Sequence, residues 1–273
     1  MTKVRLDVEM VNRGLCPSRE KARALILAGE VRINGVRAEK AGQEIAEGTE
    51  ITVVEDAIPF VSRGGLKLDK AIRTFPIDLS GRVCADIGAS TGGFTDVMLK
   101  NGASHVYAID VGYGQLDWTL RNDPRVTVME RTNARFMEPD WFPTPISFAS
   151  IDVSFISLKL ILPPLLNCLP DGGEVVALIK PQFEAGRAEI GKNGVVRDAA
   201  VHERVIRDML SFADAAGFTV CGLSFSPITG PKGNVEFLLY MKKCCTKNDA
   251  GMYKIAEMVP EIVKNAHSLG KSC

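Results

Sequence analysis

The chain has 273 residues, with 33 Lys and Arg balanced by 33 Asp and Glu. Its length predicts roughly two domains. Because the charges balance, the net charge gives no indication of the protein's partners. Seven scattered Cys residues form no C-x-x-C pair, and no signal-peptide pattern precedes the first charged residues. These features predict reduced thiols and a cytoplasmic location. No uncharged apolar run reaches the ~18 residues that a membrane span needs, so we expect no membrane partner.

Basic residues are concentrated near the N-terminus. Residues 1–40 contain nine Lys and Arg against five Asp and Glu, whereas residues 41–58 contain five acids and no Lys or Arg. The apolar spacing predicts two helices, Val4 to Asn12 and a second that Ser18 caps and Gly29 ends. A strand at Val31–Ile33, an Asn34-Gly35 hairpin turn and a strand at Ile51–Val54 complete this module.

The cationic side chains of this module have two interpretations. They can neutralise RNA phosphates from one face, or they can form an ordinary solvated surface. The residues are Arg5, Arg13, Arg19, Lys21, Arg23, Arg32 and Arg37.

The order of residues from Arg5-Leu6-Asp7 through Ser18-Arg19 to Gly29-Glu30-Val31-Arg32-Ile33-Asn34-Gly35 resembles the S4 domain. This small RNA-binding module occurs in a small-subunit ribosomal protein and in many pseudouridine synthases. The resemblance covers residues 1–58 and implies that two helices and a hairpin grip structured RNA. The RNA-binding residues it implies are Arg5, Arg13, Ser18, Arg19, Lys21, Arg23 and Arg32.

The rest of the chain alternates apolar strand-like runs with helical stretches. The predicted strands are Val83–Asp86, His105–Asp110, Val126–Met129, Ile146–Asp152, Val175–Lys180, Thr219–Phe225 and Glu236–Lys242. Alternation of this kind is typical of an α/β fold with an open, mostly parallel sheet. In such sheets, ligands bind beyond the carboxyl ends of the strands.

A glycine-rich turn follows the first of these strands. Gly88, Gly92 and Gly93 form the pattern G-x-x-x-G-G, which is not the dinucleotide fingerprint G-x-G-x-x-G. A carboxylate at Asp86, just before the turn, suits a ligand with an amino or positively charged group. S-adenosylmethionine (SAM) has both a sulfonium and an α-amino group. The alternative is a structural turn that Asp86 caps.

Other polar residues also end predicted strands. Asp110 follows Asp86 by 24 residues, close to the ~20-residue spacing at which an acid binds a ribose diol; the alternative is a helix cap. Asn133 suits an adenine contact or a plain loop. Lys67, Asp152, Lys180 and Glu236 meet over one cleft if the last strand runs antiparallel. A buried Lys beside a second Lys loses proton affinity, which would prepare it as a general base.

The set Lys67, Asp152, Lys180 and Glu236, with the glycine turn, resembles the K-D-K-E tetrad and SAM motif of FtsJ-type ribose 2′-O-methyltransferases. The Ser62-Arg63-Gly64-Gly65-Leu66-Lys67-Leu68 signature and the N-terminal module are similar to the TlyA family, rRNA cytidine 2′-O-methyltransferases often labelled hemolysin. The resemblance implies a Rossmann-like methyltransferase domain over residues 59–243, a mostly parallel seven-stranded sheet with an antiparallel last strand, ribosomal RNA as the partner, and those four residues as catalytic. Its implied SAM-binding residues are Asp86, Gly88, Ser90, Thr91, Gly92, Gly93, Phe94, Asp110, Asn133 and Asp152. Asn133 replaces an acid found in many FtsJ-type enzymes.

We therefore expect in-line methyl transfer from SAM to a ribose hydroxyl, without a metal. Two further classes stay open: a non-catalytic RNA- or ribosome-binding protein and, less favoured, a pore-forming cytolysin. The connection Pro181–Asp198, rich in Gly and cations, is expected to be a mobile, substrate-facing lid. Residues 244–273 are expected to form a helical tail whose apolar stripe Pro260 breaks. The oligomeric state is left open.

Overall fold

The computed structural model describes residues 3–16, 18–53, 59–243 and 249–269. The chain divides into two compact units, Met1–Pro59 and Phe60–Cys273. Each unit contains its own hydrophobic core. Val54 of the predicted strand Ile51–Val54 and residues 57–58 of the joint between the units lie outside the described residues, as do residues 244–248 of the predicted tail.

The N-terminal unit combines two helices with two small sheets. Its elements are β1 (Lys3–Arg5), α1 (Leu6–Asn12), α2 (Arg19–Ala28), β2 (Val31–Ile33), β3 (Val36–Arg37), β4 (Glu44–Ala46) and β5 (Ile51–Val53). Strands β1 and β4 form one sheet, and the other has the order β3-β2-β5. The Ser18 hydroxyl accepts a hydrogen bond from the Lys21 amide at 3.2 Å, and Gly29 ends α2 with φ +77°. The predicted N-cap and stop of this helix are confirmed.

One predicted element of this unit is wrong at its start. The predicted helix Val4 to Asn12 begins at Leu6, because Val4 and Arg5 belong to β1. These residues pair with Ile45 and Glu44 of β4, a strand that the sequence did not indicate. Pairing with a segment forty residues away overrides local helical spacing, which carries no record of distant partners.

The C-terminal unit is built on a seven-stranded sheet. Its strands are β6 (Val83–Ile87), β7 (His105–Ile109), β8 (Val126–Met129), β9 (Phe148–Ile151), β10 (Glu174–Ile179), β11 (Phe218–Phe225) and β12 (Phe237–Lys243). Their order is β11-β12-β10-β9-β6-β7-β8. Strands β6 to β10 pair in parallel, and β12 is antiparallel to both β10 and β11. The predicted fold class, including the antiparallel last strand, is confirmed.

Helices cover both faces of this sheet. They are α3 (Gly65–Thr74), α4 (Gly93–Lys100), α5 (Trp118–Arg121), α6 (Leu162–Cys168), α7 (Pro181–Glu184), α8 (Ala199–Ala215), α9 (Asp249–Glu257) and α10 (Val259–Ser268). Alternate strand residues enter two separate cores: Ala85 and Tyr107 pack with α6, α8 and α10, whereas Cys84 and Val106 pack with α3 and α4. Burial on both faces explains why these strands are apolar along their whole length.

The C-terminal segment packs against the sheet through α10. Val259, Ile262, Val263 and Ala266 join the core that contains α8. Pro260 lies in the first turn of α10, where a missing amide N–H costs no helical hydrogen bond. It lies just after the interruption at Met258 that separates α9 from α10, so the expected break of the helical tail at this point is confirmed. Among the described residues, no helix has the length and apolar character needed to cross a bilayer.

Candidate active site

Four charged side chains form a continuous chain of ion pairs at the carboxyl edge of the central strands. The Lys67 Nζ lies 2.7 Å from Glu236 Oε2 and 3.1 Å from Asp152 Oδ2. The Lys180 Nζ lies 2.5 Å from Asp152 Oδ1. The structure thus brings together all four residues that the sequence placed over one cleft, in the order Glu236, Lys67, Asp152, Lys180.

Strand register explains this convergence. Asp152 follows β9 and Lys180 follows β10, which are parallel neighbours, so both side chains emerge at the same edge. Glu236 directly precedes β12, whose first residue Phe237 pairs with Ile179 at the end of β10. The antiparallel direction of β12 therefore returns its start to that edge. Lys67 arrives from α3, across the sheet face.

Glycines let α3 approach the glycine-rich turn closely. A Cβ on Gly93 would lie 2.8 Å from the Gly65 backbone nitrogen and 2.5 Å from the Ser62 hydroxyl. Gly93 therefore has a packing reason: the absence of a side chain there permits the close contact between the starts of α4 and α3, the helix that carries Lys67.

The tetrad is nearly enclosed, and its formal charges cancel. Lys67, Lys180 and Glu236 are buried, and Asp152 is partly buried. Burial opposes ionisation of Asp152, but Lys67 and Lys180 outweigh it and lower its pKa to about 2. Burial likewise opposes a charged Lys67, yet Asp152 and Glu236 together hold the pKa of Lys67 above its usual range. Lys67 is therefore a fixed cation between two carboxylates.

The expected loss of proton affinity is thus wrong for Lys67, because two carboxylates lie within 3.1 Å of its ammonium group. Lys180 differs from Lys67 in its partners. Besides Asp152, it donates a hydrogen bond to the Ser154 hydroxyl at 3.1 Å. Sequence reasoning missed Ser154, although it lies two residues after Asp152 on the same loop. A hydroxyl and a single carboxylate leave Lys180 as the tetrad lysine able to exchange partners with a substrate.

The Asp86 carboxylate supports the glycine-rich turn from within the fold. It is fully buried and accepts hydrogen bonds from the Thr95 amide at 2.8 Å and the Thr95 hydroxyl at 2.7 Å. Burial raises the pKa of Asp86 to about 7, while the Thr95 donors act in the opposite direction. The contacts match the capping alternative, because Asp86 serves the N-terminus of α4, where Gly92 has no side chain to do so.

Asp110 closes the next strand and lines a shallow cavity. Its carboxylate accepts hydrogen bonds from the Ser90 amide at 2.8 Å and the Gly112 amide at 2.6 Å, so it is not a helix cap. The cavity is small and partly open to solvent, and its walls are mainly apolar. It is lined by Ala89, Ser90, Ala108, Asp110, Gly112, Gln115, Leu116, Val128 and Glu130. A carboxylate has about four lone-pair positions, so Asp110 retains acceptor capacity for a ribose diol beside an apolar wall, and these residues fit SAM.

The remaining residues of the predicted SAM site have mainly structural positions. Phe94 is buried in the core between α3 and α4. The Asn133 side chain caps a short 3-10 turn by accepting from the Arg135 amide at 3.1 Å, which matches its loop alternative. A Cβ on Gly88 would meet the Asp152 carbonyl at 2.6 Å, and one on Gly92 would meet Leu120 at 2.3 Å. Thr91 accepts a backbone hydrogen bond from Asp117. Gln115 and Glu130, which line the cavity, had no sequence signal that distinguished them.

Comparison with known proteins shows which family this chain belongs to. The FtsJ-like methyltransferase family matches residues 60–243, and the S4 domain matches residues 4–51. The chain is 46% identical over 241 residues to the 16S/23S rRNA (cytidine-2′-O)-methyltransferase TlyA of Mycobacterium tuberculosis (strain ATCC 25618 / H37Rv), covering 88% of this chain and 90% of that protein. The chain belongs to the TlyA family of FtsJ-like methyltransferases.

Two further relatives match this chain over nearly its whole length. YqxC of Bacillus subtilis (strain 168) is 50% identical over 266 residues, covering 97% of this chain and 94% of that protein. A solved structure from Streptococcus thermophilus, which carries the name hemolysin, is 50% identical with a TM-score of 0.79 and covers 99% of this chain and 98% of that chain. Both TlyA and hemolysin names therefore occur among proteins that share the two-part organisation of this chain.

Within the S4 domain, three of the predicted RNA-binding arginines converge on one acid. Asp7 is fully buried and accepts hydrogen bonds from Arg5 at 3.0 Å, Arg19 at 3.2 Å and Arg23 at 3.2 Å. Arg5 and its neighbours keep the pKa of Asp7 well below its usual range against the opposing effect of burial. The guanidinium groups themselves are about half exposed. Asp7 thus gathers three cations on one surface of the domain.

The other predicted RNA-binding residues are placed individually. Arg13 pairs with Glu9 at 2.7 Å and donates to the Thr49 carbonyl, Ser18 caps α2, and Lys21 lies in the first turn of that helix. Arg32 is exposed on β2, opposite Arg37 of β3. Arg13 and Ser18 therefore have structural partners, whereas the Asp7 cluster and Arg32 present charge to solvent.

Proposed function

We propose that this protein transfers a methyl group from SAM to the 2′-hydroxyl of cytidine in ribosomal RNA. The observation that carries the proposal is the ion-paired chain of Lys67, Asp152, Lys180 and Glu236 at the ligand-binding edge of a methyltransferase sheet. The name and activity of the M. tuberculosis relative support the choice of substrate. On this proposal, ribosomal subunits in the cytoplasm present the RNA, and the S4 domain binds it.

Asp110, Ser90 and the glycine-rich turn would hold SAM, and the buried Asp86–Thr95 contact keeps that turn in shape. When bound, SAM supplies an electrophilic methyl carbon whose sulfur leaves as a neutral thioether. The 2′-oxygen would take the methyl group from sulfur, so that one C–O bond replaces one C–S bond, and Lys180 would receive the hydroxyl proton. A neutral leaving group needs no further charge stabilisation from the protein.

Lys180 is the residue that acts on the hydroxyl. As an amine it accepts the hydroxyl proton, and as an ammonium it stabilises the developing alkoxide. Asp152 orients Lys180 through the 2.5 Å ion pair, while Lys67, held between Asp152 and Glu236, offsets part of their negative charge and so reduces their repulsion of the alkoxide. A buried, preorganised set of charges performs this stabilisation without reorganisation during the reaction.

Lys180→Ala tests the role of this residue. Methyl incorporation into rRNA is expected to fall by about 100-fold or more, whereas the SAM dissociation constant from calorimetry should change only a few-fold. Lys159→Ala, which removes an exposed lysine from the neighbouring loop, is the matched control and should retain activity. Full activity in the Lys180 variant would contradict the assignment. No heat of SAM binding by the unmodified protein would favour the non-catalytic RNA-binding alternative.

A further inference from the structure

Asn234 occupies a position that the proposed chemistry does not explain. It is buried two residues before Glu236. Its side-chain oxygen accepts a hydrogen bond from the Val196 amide at 3.2 Å, and its side-chain nitrogen donates to the Gly194 carbonyl at 3.1 Å. The side-chain amide therefore pairs with the backbone on either side of Val195, as the peptide of a neighbouring strand would.

The segment that Asn234 holds is the end of the connection that leaves Lys180. Val195 and Val196 are buried, and the Val196 carbonyl contacts His202 Nε2 at 3.2 Å. Asn234 and His202 thus fix this end of the connection on two sides. The expected mobile lid is consequently anchored at residues 194–196, whereas residues 186–194 and 197–198 are largely exposed.

Asn234 is also tied to the tetrad. Its own carbonyl accepts from the Gly230 amide at 2.8 Å, and a Cβ on Gly230 would lie 3.1 Å from Glu236 Oε1. The Glu236 carbonyl accepts from the Ser226 amide at 2.9 Å. The loop between β11 and β12 therefore closes around the Glu236 carboxylate, and Asn234 joins this loop to residues 194–196.

The exposed part of the connection carries three cations, Arg187, Lys192 and Arg197. Phosphates of a bound RNA are the natural counterions of such side chains. Binding of RNA phosphates to these cations would act on Glu236 through residues 194–196, the Asn234 side chain and the Gly230 backbone beside the Glu236 carboxylate, and then on Lys67 through its ion pair with Glu236.

We propose that Asn234 is a positioning residue that couples the RNA-facing connection, residues 186–198, to the Glu236 end of the tetrad. This inference rests on the proposed function and goes beyond it by assigning a route from RNA contact to the catalytic charges. Only an amide of this length provides a donor and an acceptor at the required spacing. In Asn234→Asp the second carboxylate oxygen would face the Gly194 carbonyl and repel it, while the volume of the side chain stays the same.

The test measures single-turnover and steady-state rRNA methylation by Asn234→Asp. The expected result is a kcat between about 10-fold and 100-fold lower, with the SAM dissociation constant unchanged within twofold. Asn101→Asp is the matched control, because Asn101 also donates to a backbone carbonyl, that of Val97, at the far end of α4. It should keep the kcat of the unmodified protein.

A double-mutant cycle separates coupling from simple loss of stability. The combined change Arg187→Gln and Lys192→Gln should lower kcat in the otherwise unmodified protein. In the Asn234→Asp protein the same change should have little further effect, because the contact between Asn234 and residues 194–196 is already lost. Additive effects, or an unchanged kcat in Asn234→Asp, would overturn the inference. If Asn234→Asp does not fold, Gly230→Ala replaces it, since the added Cβ presses on Glu236; unchanged kcat there also overturns it. Absence of methylation by the unmodified protein would instead overturn the proposed function.

Discussion

At the scale of single residues, Lys67 is central to the candidate site. It lies 85 positions from Asp152 in sequence, yet its one ammonium group contacts two carboxylates. A buried ion pair contributes little net stability when complete, but it is costly to break, because removal of one partner leaves an uncompensated charge. Lys67, which the proposed mechanism uses only to position other groups, should therefore make a large contribution to the free energy of unfolding.

Lys67→Met is expected to lower the free energy of unfolding by about 3 to 5 kcal/mol, because Glu236 loses its ion-pair partner inside the protein. Urea denaturation followed by circular dichroism measures the change. Lys70→Met is the control on the same helix: Lys70 is only partly buried and lies over the Phe225 ring, so its replacement should cost about 1 kcal/mol or less. An equal decrease in the free energy of unfolding of the two variants would show that the Lys67 ion pairs do not contribute more to stability than the Lys70 side chain.

At the scale of elements, the contact between α8 and α10 contains a histidine pair. His202 Nδ1 lies 2.8 Å from His267 Nε2, and the His202 ring packs edge-on against Phe237. Burial, assisted by the charge of His267, lowers the pKa of His202 to about 4, although Asp198 and the Val196 carbonyl oppose this shift. The folded protein therefore keeps a neutral His202 at this junction.

This pair predicts a pH dependence of stability. An unfolded chain protonates His202 near its ordinary pKa of about 6.5, whereas the folded chain resists protonation down to about 4. The folded state thus binds fewer protons than the unfolded state in this window, and stability is expected to fall as pH decreases from about 6.5 towards 4. Urea midpoints at pH 7.5, 6 and 5 measure the slope. His202→Gln should make the slope shallower, whereas His105→Gln, at the start of the distant strand β7, should not. An unchanged slope in the His202 variant contradicts the prediction.

At the scale of the whole molecule, the S4 domain and the methyltransferase domain occupy different parts of the chain. The S4 match ends at residue 51, and the methyltransferase match begins at residue 60. Each part has its own core and its own cluster of charges, around Asp7 in one and Asp152 in the other. Changes in the Asp7 cluster should therefore alter RNA affinity and leave SAM binding intact.

Arg19→Gln with Arg23→Gln tests this separation. Loss of two phosphate-neutralising cations should weaken rRNA binding and make the plot of log affinity against log salt shallower by about 1.5. Glutamine keeps a donor for Asp7, and Arg5 remains paired with that acid. Arg73→Gln, at an exposed position in the methyltransferase domain, serves as the control and should leave the slope unchanged. A salt slope equal to that of the unmodified protein would place RNA binding on other residues.

The sequence by itself determined the α/β fold, the glycine-rich turn and the four charged residues, because these depend on short-range patterns. Apolar runs define buried strands, and Asp152 and Lys180 each directly follow one. The antiparallel start of β12 was also a sequence-level prediction, and it placed Glu236 correctly. Ser18 and Gly29 marked the limits of α2 for the same local reason.

Only the tertiary structure decided how these groups are used. It assigned Asp86 to a helix cap, fixed Lys67 as a cation between two carboxylates, and gave Asn234 its place beside residues 194–196. It also turned Val4 and Arg5 into a strand and placed Pro260 at the start of a helix. The outcomes for Lys67, Asn234 and the Val4–Arg5 strand depend on partners far away in sequence, and the burial and charge around a side chain exist only once that partner is in place.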